Sequence, residues 1–232
     1  MTLREEVDKA VNDILTIPLK EENGIVVPTT DTVALRDGAK LIDATYVYAD
    51  LADSTGLAHK YKKFATAKVI RTYLTAATRI LKASGGEIRS FDGDRVMAIF
   101  IGKSKNTSAI DGALKLNYAI SKILNPALQE QWTDFKWTMS HGVGIDTGEA
   151  MIVRGGVRGD NDLVSIGQAP NVAAKLSEKR GGKLVNITSN VYENMADTAK
   201  LSDDKNMWTS MGSATYGGKV VTYYGSSWIR SF

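Results

Sequence analysis

The sequence predicts an α+β fold, and three observations predict it. Residues Thr45–Leu51 are rich in β-formers, as expected of a buried strand. Residues 57–83 repeat apolar side chains at helical spacing. Two apolar runs, 88–91 and 96–101, then flank the tight turn Asp92-Gly93, which is a strong hairpin signal. This order predicts a ferredoxin-like βαββαβ core, with extra terminal strands and one sheet covered by helices on one face.

The chain begins with an amphipathic helix and an irregular arm. The helix covers 3–15, where apolar residues recur at helical spacing: Leu3, Val7, Val11, Ile14 and Leu15. Pro18 and Pro28 bracket the arm, which lasts to about Asp43. We therefore divide the chain into an N-terminal helix and arm, 1–43, and one domain, 44–228. The first segment can cap the domain, join a dimer or regulate; packing on the domain's own surface is an equal alternative.

The second half of the chain supplies the remaining core elements and the terminal strands. In order, its pattern predicts a helix over 106–124 that Pro126 helps to end, strands over 136–145 and 149–154, a strand over 163–166, a helix over 171–179, a strand over 183–188, a short helix after Ser189 and a terminal hairpin over about 206–225. The triplet Asp146-Thr147-Gly148 separates the two longer strands.

Composition excludes several classes of site. The chain has no cysteine and two histidines, so thiol chemistry is excluded and a histidine-built metal site is not expected. Net charge is +3, which by itself gives no nucleic-acid footprint. No apolar run reaches the roughly 18 residues of a membrane span, and the charged N-terminus lacks an apolar signal region. We expect a cytoplasmic protein with neither a nucleic-acid nor a membrane partner.

Two aspartates are the strongest functional signal. Asp50 and Asp94 each stand where an apolar strand meets a turn. In a βαββ arrangement the first strand and the hairpin are neighbours, about 4.8 Å apart. Like charges at that range repel, so cations between them are expected, and two cations can drive displacement at a phosphate. Asp53 and Asp92 flank the pair as turn formers or supporting groups.

Two further segments carry polar groups suited to a nucleotide. Ser54 and Thr55 stand as N-caps at a helix start, where free backbone amides can hold a phosphate; capping without a ligand is the alternative. Asn171 and Lys175 are four residues apart on a helix and share one face. An amide and an ammonium there can orient a sugar and neutralise a phosphate, and a solvated helix surface is the alternative.

Taken together and in order, these segments resemble the catalytic domain of class III nucleotidyl cyclases. The motifs are Asp50 to Thr55, Gly93-Asp94, the string Gly-Ile-Asp-Thr-Gly-Glu over 144–149, and Ile166-Gly167 to Lys175. The match covers roughly residues 44–226. No single motif is specific, whereas four motifs in the right order are a strong signal.

The resemblance implies a head-to-tail homodimer with active sites at the interface. Asp50, Leu51 and Asp94 would bind two Mg²⁺ or Mn²⁺ ions, and the ribose 3′-oxygen of a nucleoside triphosphate would attack the α-phosphorus. Asn171 would orient the ribose from the other protomer, and Lys175 would neutralise transition-state charge. Members of the class usually have arginine at the Lys175 position, and lysine lacks its bidentate fork. Lys219 lies near the class's triphosphate lysine, although a solvated tail lysine is the preferred interpretation.

The residues expected to read a purine are absent. Adenine-specific members carry lysine and Asp or Thr where this chain has Ser90 and Val164, and the guanine pattern is missing too. Tyr48, Arg89, Ser90 and Arg95 can rebuild the pocket, although strand alternation should turn Arg89 away from Ser90. The string over 89–97 resembles the pyrimidine cyclases of bacterial Pycsar anti-phage systems. This implies cyclic UMP or cyclic CMP from UTP or CTP, acting on a separate effector.

Two other hypotheses remain open from sequence. One is an adenylate cyclase with an unusual base pocket, since purine specificity predominates in the class. The other is a catalytically inactive nucleotide sensor, suggested by Lys175 in place of arginine. Retention of Asp50, Asp94 and Asn171 counts against the sensor.

Overall fold

The computed structural model describes all 232 residues. In chain order its elements are α1 (Leu3–Thr16), β1 (Lys20–Asn23), a 3₁₀ turn (Thr30–Thr32), β2 (Gly38–Leu51), α2 (Ser54–Lys60), α3 (Lys63–Ala83), β3 (Glu87–Asp92), β4 (Arg95–Phe100), α4 (Lys105–Ala119), a π turn (Ile120–Leu124), α5 (Asn125–Gln131), β5 (His141–Val157), β6 (Asp160–Ile166), α6 (Gln168–Ser177), β7 (Val185–Thr188), α7 (Ser189–Asn194), α8 (Asp197–Lys200), β8 (Leu201–Ser202), β9 (Lys205–Asn206), β10 (Thr209–Tyr216) and β11 (Lys219–Ser226). None of the helices combines the length and apolarity needed to cross a membrane.

A nine-stranded mixed sheet forms the centre of the molecule. Its order is β10-β11-β7-β5-β2-β4-β3, with β1 beside β2 and β6 beside β5. The two longest strands, β2 and β5, pair antiparallel from Ala39 opposite Val153 to Leu51 opposite His141. The α+β architecture predicted from sequence is confirmed, with β2 and the β3–β4 hairpin adjacent.

Helices cover both faces of the sheet, so the expectation of helices on one face is wrong. Val47, Ala49 and Leu51 of β2 lie in the core that contains α3 and α4, and we call this side the α3 face. Tyr46 lies in a second core with Ala173 of α6, and we call that side the α6 face. The alternation of β2 separates these two sets.

The irregular arm contains more sheet than the sequence predicted. Strand β2 begins at Gly38, well before Thr45, and β1 pairs parallel with its first residues. The strand therefore crosses the boundary that we drew at residue 43. Helix α1 is confirmed, but it has no buried residue.

Tyr61 interrupts the predicted helix over 57–83, which is two helices in the structure. Tyr61 is extended, with φ −122° and ψ 159°. Its hydroxyl accepts hydrogen bonds from the backbone N–H groups of Lys136 and Trp137 at 2.9 and 3.1 Å. These distant contacts favour a break that helical periodicity does not show.

Two other predicted interruptions are absent. Strand β5 runs unbroken through Asp146, because Thr188 and the N–H of Thr147 hydrogen-bond the buried carboxylate. Pro126 does not end the helical region, since it stands in the first turn of α5, after the π turn. A missing amide N–H is tolerated there.

Candidate active site

The two predicted metal aspartates are neighbours. Asp50, at the end of β2, is opposite Arg95 of β4 and Gly142 of β5, and Asp94 immediately precedes β4. Burial raises the pKa of Asp50, and the nearby Asp94 carboxylate raises it further, while Arg180 lowers it. The predicted pairing of the two carboxylates is therefore present in a single chain.

Arg180 is a site residue that sequence reasoning missed. Its Nη2 lies 2.5 Å from Oδ2 of Asp50, and its Nη1 donates to the backbone carbonyl of Ser177. A Cβ atom at Gly142 would lie only 2.5 Å from Nη1, so the glycine leaves space for the guanidinium. Arg180 follows the last motif of the resemblance, and no spacing rule connects it with Asp50.

The carboxylate pair suits a hard divalent cation. Oδ2 of Asp94 is buried and has no hydrogen-bond partner. Leu51 has its side chain in the core, so only its backbone carbonyl is available as a ligand. No group of three His, Cys, Asp or Glu side chains could hold a metal by itself. Mg²⁺ typically takes one or two carboxylates and completes its shell with water and substrate phosphates, which fits these residues.

A cavity of about 790 Å³ beside α6 gathers the predicted ribose and phosphate residues. Asn171 and Lys175 line it, as does Arg95. Lys219 lines it too and is exposed to solvent, so its role with a triphosphate stays a prediction. Neither Asp50 nor Asp94 is among the lining residues, so one chain does not enclose all the predicted groups in this cavity.

A series of ion pairs connects the C-terminal end of α6 with the β3–β4 turn. Glu178 accepts from Lys175 and from Arg95, both at 3.1 Å, and Arg95 also reaches Asp92 at 3.0 Å. Burial raises the pKa of Glu178, but the hydrogen bonds from Lys175 and Arg95 outweigh burial and lower it. Lys175 is thus held at the cavity by the carboxylate of the residue that follows its helix.

A β-bulge at Arg89 shapes the predicted base pocket. Ile88 is opposite Ala98 and Ser90 is opposite Met97, so Arg89 is an extra residue in β3. The hydroxyl of Ser90 contacts the sulfur of Met97, which lies on the α6 face. A bulge interrupts strict alternation, and the expectation that Arg89 turns away from Ser90 is therefore wrong.

Arg89 reaches β6 across the α6 face. Its Nη2 lies 2.5 Å from Oδ1 of Asp162, whose neighbour Leu163 packs on the α6-face core. Nε of Arg89 is buried and has no partner. Val164, farther along β6, is half exposed. An unpaired donor in this place can receive a base carbonyl.

Tyr48 and Arg95, two other residues predicted for the base pocket, contact each other. The Arg95 guanidinium carbon lies 5.8 Å from the centre of the Tyr48 ring, within the range of a cation–π contact. Burial raises the pKa of Tyr48, which Arg95 partly offsets. The phenol therefore stays neutral beside the cation.

Comparison with known proteins identifies the family, although no family model matches the chain. Uridylate cyclases from Rhodovulum sp. (strain MB263) and Xanthomonas perforans are 35% and 38% identical, over 99% and 98% of this chain and 98% of each relative. A uridylate cyclase from Burkholderia cepacia is 42% identical over 93% of this chain and 96% of its own. The chain belongs to the uridylate cyclase family. It is a nucleotidyl cyclase.

This uridylate cyclase family member has the class III cyclase fold. An adenylyl cyclase from P. aeruginosa superposes with a TM-score of 0.68 at 21% identity, covering 81% of this chain and 95% of that one. The guanylate cyclase domain from Catenaria anguillulae gives a TM-score of 0.64 at 14% identity, covering 81% and 97%. These similarities confirm the predicted fold class.

One predicted pair of the family member's site has a different local role. Ser54 and Thr55 are the first two residues of α2, and Asp53 is its N-cap in a left-handed conformation, with φ 57°. The prediction that Ser54 and Thr55 are the caps is therefore wrong. Their role with a substrate stays a prediction.

Proposed function

We propose that the chain converts UTP into 3′,5′-cyclic UMP and pyrophosphate. The observation that carries the choice of base is the buried, unpartnered Nε–H of Arg89 in the base pocket. Uracil offers carbonyl oxygens at both C2 and C4, whereas cytosine has a carbonyl at C2 and an amino group at C4. A donor that faces C4 of the base would therefore accept uracil and reject cytosine, while a donor that faces C2 would accept both. The relatives named uridylate cyclase support the same choice.

The other predicted site residues would each supply one part of the reaction. Divalent cations bound between Asp50 and Asp94 would favour the ionised ribose 3′-oxygen and neutralise the triphosphate. Lys175 and Lys219 supply positive charge for the phosphates, and Asn171 orients the ribose. Ser54 and Thr55 present the backbone amides of α2 to the phosphates. Ser90 and Val164 would line the base pocket in place of the lysine and the Asp or Thr of adenine-specific members.

A head-to-tail homodimer completes the site in this proposal. Support comes from the separation of the carboxylate pair from the cavity that holds Asn171 and Lys175. Mixing Asp94→Asn protomers with Asn171→Ala protomers tests it. Random pairing restores about a quarter of wild-type activity if one site draws on both protomers. Sites within single protomers would restore none.

The cyclic nucleotide is proposed to act in defence against phage. The support is the resemblance of the segment over 89–97 to the Pycsar pyrimidine cyclases, together with the uridylate cyclase relatives. The product would switch on a separate cyclic-nucleotide-responsive effector, so the cyclase itself need not contact its target.

Product analysis tests the reaction directly. The protein is incubated with UTP, CTP, ATP or GTP separately, with Mn²⁺, and products are identified by mass spectrometry. We expect cyclic UMP and pyrophosphate from UTP, and neither from Asp94→Asn. Cyclic CMP as the main product would overturn the assignment of the base. Cyclic AMP without cyclic UMP would show a purine enzyme with an unusual pocket, and nucleotide binding without any pyrophosphate would show a sensor.

A further inference from the structure

Positive charge is concentrated in one part of the chain. Residues 54–86 contain seven Lys and Arg residues and no Asp or Glu, which leaves 22 basic against 26 acidic residues elsewhere. The low net charge is thus an average over unequal regions. The expectation of no nucleic-acid partner depended on that average.

Helix α3 gathers much of this charge on one exposed side. Lys68, Arg71, Arg79 and Lys82 are exposed, and none of them is in an ion pair. At 100° per residue they share one side of the helix, opposite the buried Tyr73. They extend over about 21 Å along the helix axis. We call these four residues the α3 basic face.

A trough runs along the α3 basic face. One cavity of about 640 Å³ separates α3 from α5, and a second of about 390 Å³ continues towards Phe91. Arg71, Thr75 and Arg79 line both, so the two cavities lie on either side of this row of side chains, and we call the pair of cavities the trough. Trp132 lines the first cavity.

The chemistry of the trough matches a single-stranded nucleic acid. Basic side chains suit phosphates, and hydroxyls such as that of Thr75 add hydrogen-bond donors. Exposed rings suit base stacking, and Phe91 in the trough and Phe64 beside Lys68 are 54% and 67% exposed. A flat membrane would not enter the trough, and an acidic peptide would not need the aromatic rings.

We propose that the α3 basic face and its trough bind single-stranded nucleic acid. The α3 face is opposite the α6 face, where Arg89, Asn171 and Lys175 lie. Nucleic acid and nucleotide substrate can therefore occupy the protein together. The new site is separate from the cyclase chemistry and does not depend on which base is cyclised.

Fluorescence anisotropy with labelled 20-nucleotide oligo(dT) and oligo(U) tests the proposal between 50 and 300 mM NaCl. Four neutralised phosphates predict a slope of log K against log salt of about −3. Arg71→Glu with Arg79→Glu should weaken binding at least about tenfold and reduce that slope by about half. Phe91→Leu should weaken binding about tenfold through lost stacking.

The matched control is Lys103→Glu with Lys205→Glu, which reverses two exposed charges outside the trough. We expect affinity within twofold of wild type, with circular dichroism and cyclase activity retained in both double variants. Absence of oligonucleotide binding at 50 mM NaCl, or equal weakening by the control, would overturn the proposal. Binding to anionic vesicles or poly-glutamate in preference to oligonucleotides would also overturn it and identify the other class of partner.

Discussion

Asp146 lies in strand β5 and Asp94 in the turn between β3 and β4, and the two carboxylates differ in what hydrogen-bonds them. Asp146 is 5% exposed and accepts from the hydroxyl of Thr188 at 2.6 Å and from the N–H of Thr147 at 2.8 Å. Oδ2 of Asp94 has no partner within the chain. The Asp146 carboxylate is hydrogen-bonded within its own chain, whereas Oδ2 of Asp94 is unpaired.

The comparison extends to the whole molecule. Five buried side-chain polar atoms lack a partner, and the two that belong to charged groups are in Asp94 and Arg89. Both residues stand at positions predicted for substrate or metal. A raised carboxyl pKa instead points to Asp146, where burial raises the pKa to about 6, as well as to Asp50. The unpartnered charged atoms therefore coincide with predicted site positions only, whereas the raised carboxyl pKa values do not.

The largest expected effect is on catalysis, from Asp94→Asn. Cyclase activity should fall by about three orders of magnitude or more, because a neutral amide holds a divalent cation poorly. The free energy of unfolding without metal should stay equal or rise, because the repulsion between the Asp94 and Asp50 carboxylates is removed. Steady-state kinetics and urea unfolding measure the two quantities. Activity within tenfold of wild type would contradict the proposal that Asp94 holds a divalent cation.

Arg89→Gln tests the unpartnered donor. Losing a charged hydrogen bond to the base should lower kcat/KM for UTP about 10- to 100-fold. Asp162→Asn is the matched control, since it removes the ion pair but keeps the Arg89 donor. Equal losses in both variants would mean that Arg89 acts through the ion pair rather than by contacting the base.

Asp146 should reveal the cost of its burial in pH dependence. Burial raises the pKa of its carboxyl to about 6, despite the hydrogen bonds from Thr188 and Thr147, so the folded state binds the proton more tightly than the unfolded state. Stability from this group is therefore present at low pH and is lost as pH rises towards 6, by about 3 kcal/mol. Asp146→Asn should lack this loss when unfolding is followed between pH 4 and pH 7.5. If the free energy of unfolding depends on pH in the same way in both proteins, this prediction is refuted.

The smallest expected effect is on metal affinity, from Arg180→Gln. Removing a cation that competes for Asp50 should tighten Mn²⁺ binding about three- to tenfold without nucleotide. Electron paramagnetic resonance of free Mn²⁺ measures this. Lys175→Gln is the control, because it removes a charge from α6 that pairs with Glu178 instead. Unchanged affinity in Arg180→Gln would show that its contact with Asp50 is incidental.

The sequence was sufficient to predict those features that residues close together in the chain determine. The Asp92-Gly93 turn and the flanking strands bring Asp94 beside Asp50, and that prediction is confirmed. The break at Tyr61 was not predictable, because it depends on N–H groups about 75 residues away in the chain. Arg180 was missed for the same reason, since only the folded chain brings its guanidinium past Gly142 to Asp50.

The bulge at Arg89 would connect the proposed choice of base with the number of residues in strand β3. A single additional residue in β3 directs this arginine to the α6 face. If Arg89 contacts the base as proposed, base preference in this fold can change by insertion or deletion as well as by substitution. A position counted back from Asp94 is not structurally equivalent in two cyclases when only one of them has the bulge. An alignment that forbids gaps inside this hairpin would compare side chains on opposite faces of the sheet.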